Sequence, residues 1–242
     1  MSKRFYLSPA DIHAGEAVLR GKEAHHVAHV MRMKVGEPLT LFDGKGRQYE
    51  GVIREILKQE VAVSLHAPME EDRRGISISV ACALPRHSRM EQVIEKLTEI
   101  GVAAILPLST ERTVPRVEGE REEKKLARWR RIATEASKQC GAARLPEISN
   151  VYSFSEVLDR SSEYDLAILL SPEGSPLRDY LRAKEANKVI LLVGPEGGWS
   201  EREIVAAKKA GWVSVSLGRQ ILKVDTACIA ASSILHYVLD PL

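Results

Sequence analysis

The sequence predicts an α/β protein in which a mainly parallel C-terminal sheet follows a small β-rich domain. Three observations carry that prediction. Val189-Ile190-Leu191-Leu192-Val193 is an unbroken apolar run closed by Gly194-Pro195-Glu196-Gly197-Gly198, the pattern of a strand buried on both faces of a parallel sheet. From Ile76 onward, strand-like apolar runs alternate with segments of helical period, as βαβ units require. Before Ile76, short alternating runs are separated by Gly-rich turns, which suits a small barrel.

Taken in order, Gly21 to Met33 reads as one helix carrying His25, His26 and His29. Pro38–Phe42 is a strand and Asp43-Gly44-Lys45-Gly46 a turn. Gln48–Ile56 and Glu60–His66 alternate as two more strands. The polar stretch Ala67–Gly75 marks a boundary, giving domains 1–70 and 74–242. Ile76–Leu84 is the next strand. Ser88 and Glu91 form a capping box for a helix with Met90, Val93, Ile94, Leu97 and Ile100 on its apolar face, ended by Gly101. Ala103–Leu108 is a strand, and Glu118–Cys140 is a long helix with Leu126, Trp129, Ile132, Ala133 and Ala136 inward. Ser153 and Glu156 form another capping box. Leu166–Leu170, Val189–Val193 and Val213–Leu217 are strands. Ser200 and Glu203 cap a helix that ends near Gly211, and Ala227–Leu239 is the last helix.

Composition narrows the function classes. A net charge of +2 does not by itself indicate a nucleic-acid partner, but residues 112–131 hold eight basic against four acidic side chains, a mild basic patch. Cys82, Cys140 and Cys228 are odd in number and lack metal-type spacing, which points to a reducing cytoplasm. No apolar run approaches the length of a membrane span, and the first residues lack a signal-peptide core. His25 and His29 sit at i, i+4, yet no third ligand lies nearby in sequence, so no metal site is expected.

Three loops each follow a buried strand: Ser171-Pro172-Glu173-Gly174, Gly194–Gly198 and Gly218–Asp225. Ligands of open α/β sheets bind at such carboxyl ends. None of the three is a Walker or dinucleotide loop, and neither a Gly-x-Ser-x-Gly elbow nor a dense Asp cluster is present.

Six segments together resemble the bacterial ribosomal RNA uridine N3-methyltransferases of the SPOUT, or trefoil-knot, class. They are His29-Val30-Met31-Arg32; Lys96-Leu97-Thr98-Glu99-Ile100-Gly101-Val102; Thr110-Glu111-Arg112; the set Glu135, Gln139, Arg144 and Pro146; Gly194–Gly198; and Leu217-Gly218 with Ile221-Leu222 and Thr226-Ala227. The resemblance covers nearly the whole chain. It departs in the last segment, where Gln220, Lys223, Val224 and Asp225 stand for the family's Arg, Arg, Thr and Glu, and at Ala142, where many relatives carry Arg.

The resemblance implies a SPOUT-type parallel sheet with a deep trefoil knot and an N-terminal PUA-like β-barrel that grips RNA. It implies a homodimer with S-adenosylmethionine as methyl donor. The activity implied is methylation of N3 of a uridine in small-subunit (16S) ribosomal RNA, either naked or in the assembled subunit. Two other readings remain open: a catalytically weak RNA-binding or ribosome-assembly protein on the same scaffold, and a SPOUT enzyme acting on another RNA nucleotide. The expected cofactor pocket comprises Leu170, Ser171, Gly194, Pro195, Glu196, Gly197, Leu217, Gly218, Ile221, Leu222 and Thr226. Asp225 or Glu196 serves as base, Asp225 preferred, with Arg112 and Lys223 stabilising the anion or holding phosphate. Arg4, Arg32, Arg86, Arg89, Lys96, Gln139 and Arg144 are candidates for RNA contact. Each has a structural alternative. Glu196 can fix its own loop, Asp225 can be the N-cap of the last helix, and Trp199 packs under the loop rather than stacking on a base.

Overall fold

The computed structural model describes residues 3–13, 15–70, 75–85, 89–113, 119–182 and 184–240. Ser88 of the expected capping box and Arg86 lie outside the described residues. Contacts divide the chain into two units, residues 1–73 with 134–145, and residues 74–133 with 146–242.

The first unit is a half-barrel. It contains β1 (Arg4–Tyr6), β2 (Ile12–His13), β3 (Glu16–Arg20), α1 (Gly21–His25), β4 (Pro38–Phe42), β5 (Arg47–Ile56), β6 (Glu60–Leu65) and β7 (Met69–Glu70). The strands pair in the order β1-β4-β5-β6-β3-β2, with β7 on β5. Period-two alternation turns Ala17, Leu19, Leu39, Leu41, Val61 and Val63 onto one face, where they enclose Phe5 and Val27. The expected helix over Gly21–Met33 is shorter. It widens into a π turn over His26–Val30, and Arg32 then adopts a left-handed φ of 50° that stops it.

Residues 134–145 belong to this unit although they continue the long helix of the other. Arg4 is buried beneath them. Its guanidinium donates to the Ala142 carbonyl at 2.8 Å, bonds the Gln48 side chain, and lies 4.6 Å over the Phe42 ring. Buried Lys138 pairs with Glu23 and with Glu135. The Asp43–Gly46 turn forms as expected, because the Asp43 carboxylate accepts from the amides of Lys45 (2.7 Å) and Arg47 (3.0 Å).

The second unit contains β8 (Ser77–Ala83), α2 (Arg89–Ile100), β9 (Ala104–Ser109), α3 (Glu120–Cys140, shared from Thr134 with the first unit), β10 (Glu147–Ile148), β11 (Tyr152–Ser153) and α4 (Phe154–Leu158). It continues with β12 (Leu166–Pro176), α5 (Leu177–Tyr180), β13 (Lys188–Val193), α6 (Glu201–Lys209), β14 (Val213–Ser216) and α7 (Val224–Leu239). Every strand pair is parallel, in the order β10-β9-β8-β13-β12-β14 with β11 also on β9. Val189, Leu191 and Val193 of β13 enter the core on one face of the sheet, while Ile190 and Leu192 enter the core on the other. That double burial is why the run has no polar residue. Both expected capping boxes that fall on described residues form, at Ser153/Glu156 and Ser200/Glu203. Among the described residues, no helix is long and apolar enough to cross a membrane.

The last helix starts at Val224, three residues before the expected Ala227. Lys223 is its N-cap, with extended backbone and no side-chain cap bond. Asp225 is therefore in the first helical turn and is not the N-cap. In β12, Leu170 and Ser175 both pair with Val215, so residues 171–174 leave the ladder as a loop beside β14.

Candidate functional site

The carboxyl ends of β12, β13 and β14 enclose a cavity of about 360 Å³. Its walls are the three loops that follow these strands, with Val224 and Ala227 of α7 closing one side. Of the expected pocket residues, Leu170, Ser171, Gly194, Pro195, Glu196, Gly197, Leu217, Gly218, Ile221 and Leu222 line it; Thr226 does not. The earlier start of α7 explains the exception. Positions 224 and 227 share one face of a 3.6-residue turn, and 226 points away.

The loop after β13 is held from several sides. The Trp199 indole donates to the Leu170 carbonyl at 2.8 Å, and its ring lies 5.4 Å from Phe154. Trp199 thus packs under the loop. A Cβ on Gly194 would come within 2.8 Å of that indole, so glycine is required by close approach. The Gly198 amide closes a turn onto the Pro195 carbonyl at 2.9 Å, with Gly198 at φ +70°. Arg112 donates to the Gly197 carbonyl at 2.8 Å. An Arg89 guanidinium nitrogen stands 3.8 Å from the Glu196 carboxylate.

Sequence reasoning missed the second role of Glu203. Its buried carboxylate accepts from Ser200 N at 2.8 Å through one oxygen and from Glu111 N at 3.0 Å through the other. One side chain therefore caps α6 and fixes the Thr110-Glu111-Arg112 segment. The capping-box motif named the residue, but nothing local marks a partner 92 positions away.

Asp225 and Lys223 adjoin the cavity through α7 without lining it. Asp225 Oδ1 is buried and has no hydrogen-bond partner among the described residues. Behind it, the sulfurs of Cys82 and Cys228 meet at 3.5 Å. That contact, burial and the nearby Asp225 carboxylate push the Cys228 thiol well above its ordinary range.

The expected RNA-contact residues separate into groups. Arg89 faces Glu196, and Lys96 pairs with Glu99 and Glu95 at 2.8 and 2.9 Å, which raises its pKa. Arg32, Gln139 and Arg144 belong to the other unit; Arg32 and Gln139 are exposed, and Arg144 packs against the glycine turn at Gly46. Arg4 is a correction. Buried as described, its charge holds residues 134–145 and is not offered to a nucleic acid.

A family model described as RNA methyltransferase domain matches residues 72–236, and one described as RNA methyltransferase PUA domain matches residues 19–65. A ribosomal RNA small subunit methyltransferase E from Synechocystis is 31% identical over 99% of this chain and 79% of its own. One from Mycobacterium bovis is 32% identical over 94% and 88%. Among solved structures, a methyltransferase from Legionella pneumophila with bound SAM superposes with a TM-score of 0.90 at 33% identity, covering all of both chains. A ribosomal RNA small subunit methyltransferase E from Neisseria gonorrhoeae bound to S-adenosyl methionine gives 0.88 at 30%, covering 99% of this chain and 98% of that one. The C-terminal parallel sheet and the PUA-like half-barrel expected from the resemblance are the observed fold.

Proposed function

This chain belongs to the RNA methyltransferase domain family, and we propose that it transfers a methyl group from S-adenosylmethionine to N3 of a uridine in small-subunit ribosomal RNA. The cavity at the ends of β12, β13 and β14 carries this reading. Leu170, Leu217, Ile221 and Leu222 supply apolar walls for an adenine and a thioether, while the glycine loops present backbone N–H and C=O groups. Gly194 lets the β13 loop sit against Trp199 without a side chain in between. Two relatives, matched over 79% and 88% of their own length, carry the ribosomal name, and two superposable structures hold the donor.

When bound, S-adenosylmethionine supplies an electrophilic methyl carbon on sulfonium sulfur. The uracil N3 proton must leave as the nitrogen attacks, so the chain has to provide a base and support for the anion. Asp225 is our choice of base: its buried Oδ1 has no hydrogen-bond partner among the described residues, and Val224 before it lines the cavity. Glu196 lines the cavity but is held by Arg89. Arg112 fixes the Gly197 carbonyl, and exposed Lys223 at the start of α7 is available to the anion or to phosphate. Pocket residues on strand ends keep the reactants oriented. The half-barrel, residues 1–70, grips RNA, and residues 74–242 bind the donor and dimerise. Ile221 and Tyr237 are 84% and 87% exposed, large apolar groups that a second copy of the chain would cover. The three free thiols suit a reducing cytoplasm.

The test is transfer of labelled methyl groups to small subunits from a strain lacking the activity, followed by nucleoside mapping. We expect label in 3-methyluridine, and replacement of Asp225 by Asn should slow transfer about 10²–10⁴-fold with donor affinity retained. Label in another nucleoside would move the enzyme to a different RNA target. Donor and RNA binding without transfer would make the chain an assembly protein, a reading motivated by Gln220, Lys223, Val224 and Asp225. Absence of donor binding in calorimetry would reject the proposal outright.

A further inference from the structure

Beside the donor cavity lies a second, wider cleft. The two share Pro172 and Ser216–Gly218, so the cleft begins where the cavity ends. Its volume is about 1280 Å³. Four cations line it, Arg178, Arg182, Lys184 and Arg219, against a single carboxylate, Asp179. Arg178 and Asp179 form only an exposed pair at 3.3 Å, the kind that contributes little. Lys184 lies 5.5 Å over the Tyr180 ring. Arg182 and Arg219 are exposed and make no ion pair among the described residues.

The charges come from separate elements. Arg178 is on α5, Arg182 and Lys184 follow it, and Arg219 is on the loop after β14. Among the described residues no carboxylate network neutralises them, unlike Lys96 with its two glutamates. A surplus of cations over carboxylates around a trough is chemistry for a polyanion, since Arg matches phosphate bidentately and keeps its charge. Its continuity with the donor cavity favours one polyanion, a strand that also delivers a base to that cavity.

We infer that this cleft is the track for the RNA backbone flanking the target nucleotide, with Arg178, Arg182 and Arg219 contacting its phosphates. The inference rests on the RNA methyltransferase reading. It adds a part of the substrate path that none of the six motif segments identified apart from the shared residues Leu217 and Gly218. Ile234 and Val238 of α7 form an apolar wall of the same cleft. The competing occupant is therefore a second copy of the chain.

The test compares the full chain with R178E/R182E and with a control, K208E/K209E, whose reversed charges lie in the last turn of α6. The probe is in vitro transcribed small-subunit ribosomal RNA, titrated at several salt concentrations. Each lost phosphate contact on a single strand should reduce the slope of log affinity on log salt by about 0.7, so two contacts lower affinity roughly 25-fold near 0.1 M salt. Donor affinity and melting temperature should not move, and the control should bind RNA as the unaltered chain does. Equal losses in both variants would reduce the effect to net charge and overturn the assignment. So would unchanged RNA binding by R178E/R182E, or a variant that sediments as a monomer while still binding RNA, which would give the cleft to the second copy. If the unaltered chain bound the transcript without salt dependence, the RNA reading itself would fail, an outcome separate from any of these.

Discussion

Replacing Gly194 by Ala tests whether the loop after β13 is built on close approach. The new Cβ would meet Trp199 Cε2 at 2.8 Å and both Cζ2 and Nε1 at 3.1 Å. Trp199 is itself buried, against Phe154, and its indole N–H is engaged with the Leu170 carbonyl. The ring has to move, and moving it breaks that bond. Overpacking in a tight site costs about 1–3 kcal/mol, and a lost buried hydrogen bond about 1 kcal/mol more. Alanine also stiffens the unfolded chain, which offsets only about 0.4–1 kcal/mol. The packing effect wins, leaving a net loss of about 1–3 kcal/mol and a melting point lower by roughly 3–10 °C for a chain of this size. Because Leu170 and Gly194 line the cavity, displacement of the loop should also lower S-adenosylmethionine affinity. Gly198→Ala is the comparison. That position has open space but φ +70°, so it carries only the left-handed penalty of about 1–2 kcal/mol. Calorimetric melting and donor titration read both. A G194A protein that melts with the unaltered chain and binds donor equally well would refute the argument.

Glu203→Gln should lower the melting point and slow methyl transfer together, because Ser200 N and Glu111 N donate to different carboxylate oxygens and one of them would then face an NH2 donor. A hydrogen bond to a charged group contributes about 1.5–3 kcal/mol, so a variant indistinguishable in melting would contradict this role. Thiol titration of the native protein should find one rapidly reacting group, exposed Cys140, while buried Cys82 and Cys228 respond only in denaturant; the raised Cys228 pKa works in the same direction. Two fast thiols would mean that the α7–β8 contact opens readily. Stability should also fall in acid. The Lys188 and Asn187 amides hold the Asp165 pKa below its ordinary value, and Ser153 does the same for Glu156. Groups lowered on folding contribute fully above their unfolded pKa, near 4, and lose that contribution as pH falls through the folded values. Melting curves between about pH 7 and pH 3 should show the decline, and D165N/E156Q should show less of it.

Much of the second unit was legible because its strands are buried on both faces and its helices carry local start signals. The β13 run, the Ser153 and Ser200 caps and the glycine loops all announce themselves within ten residues. Short strands do not. β2, β7, β10 and β11 have two residues each, too few to show a period, and they exist through their pairing partners. The start of α7 was misplaced because Lys223-Val224-Asp225 lacks a Ser or Thr cap and opens on a β-branched residue. The membership of residues 134–145 was not legible either, since α3 keeps one helical period while its neighbours change. In the site, the three walls followed from strand ends, but their fastenings did not. Arg89 with Glu196, Arg112 with Gly197 and Glu203 with Glu111 are tertiary contacts without a local pattern.

These fastenings are unevenly distributed, and the unevenness bears on how the site works. The walls after β12 and β13 are joined to each other through Trp199 and Leu170, and Arg89, Arg112 and Glu203 tie the second of them to other parts of the unit. They need little ordering when a ligand enters, so little affinity is lost there to conformational entropy. The wall after β14 is different. Among the described residues its side-chain hydrogen bonds are local ones between Ser216 and Gly218, and it presents exposed Ile221 and Leu222 to the cavity side. The family's replaced positions, Gln220, Lys223, Val224 and Asp225, all fall in this wall or in the helix that follows it. Variation there alters the less fastened side of the pocket and leaves its fixed sides intact. Donor affinity should therefore respond most to Gly194 and its supports, and less to substitutions between Gly218 and Asp225.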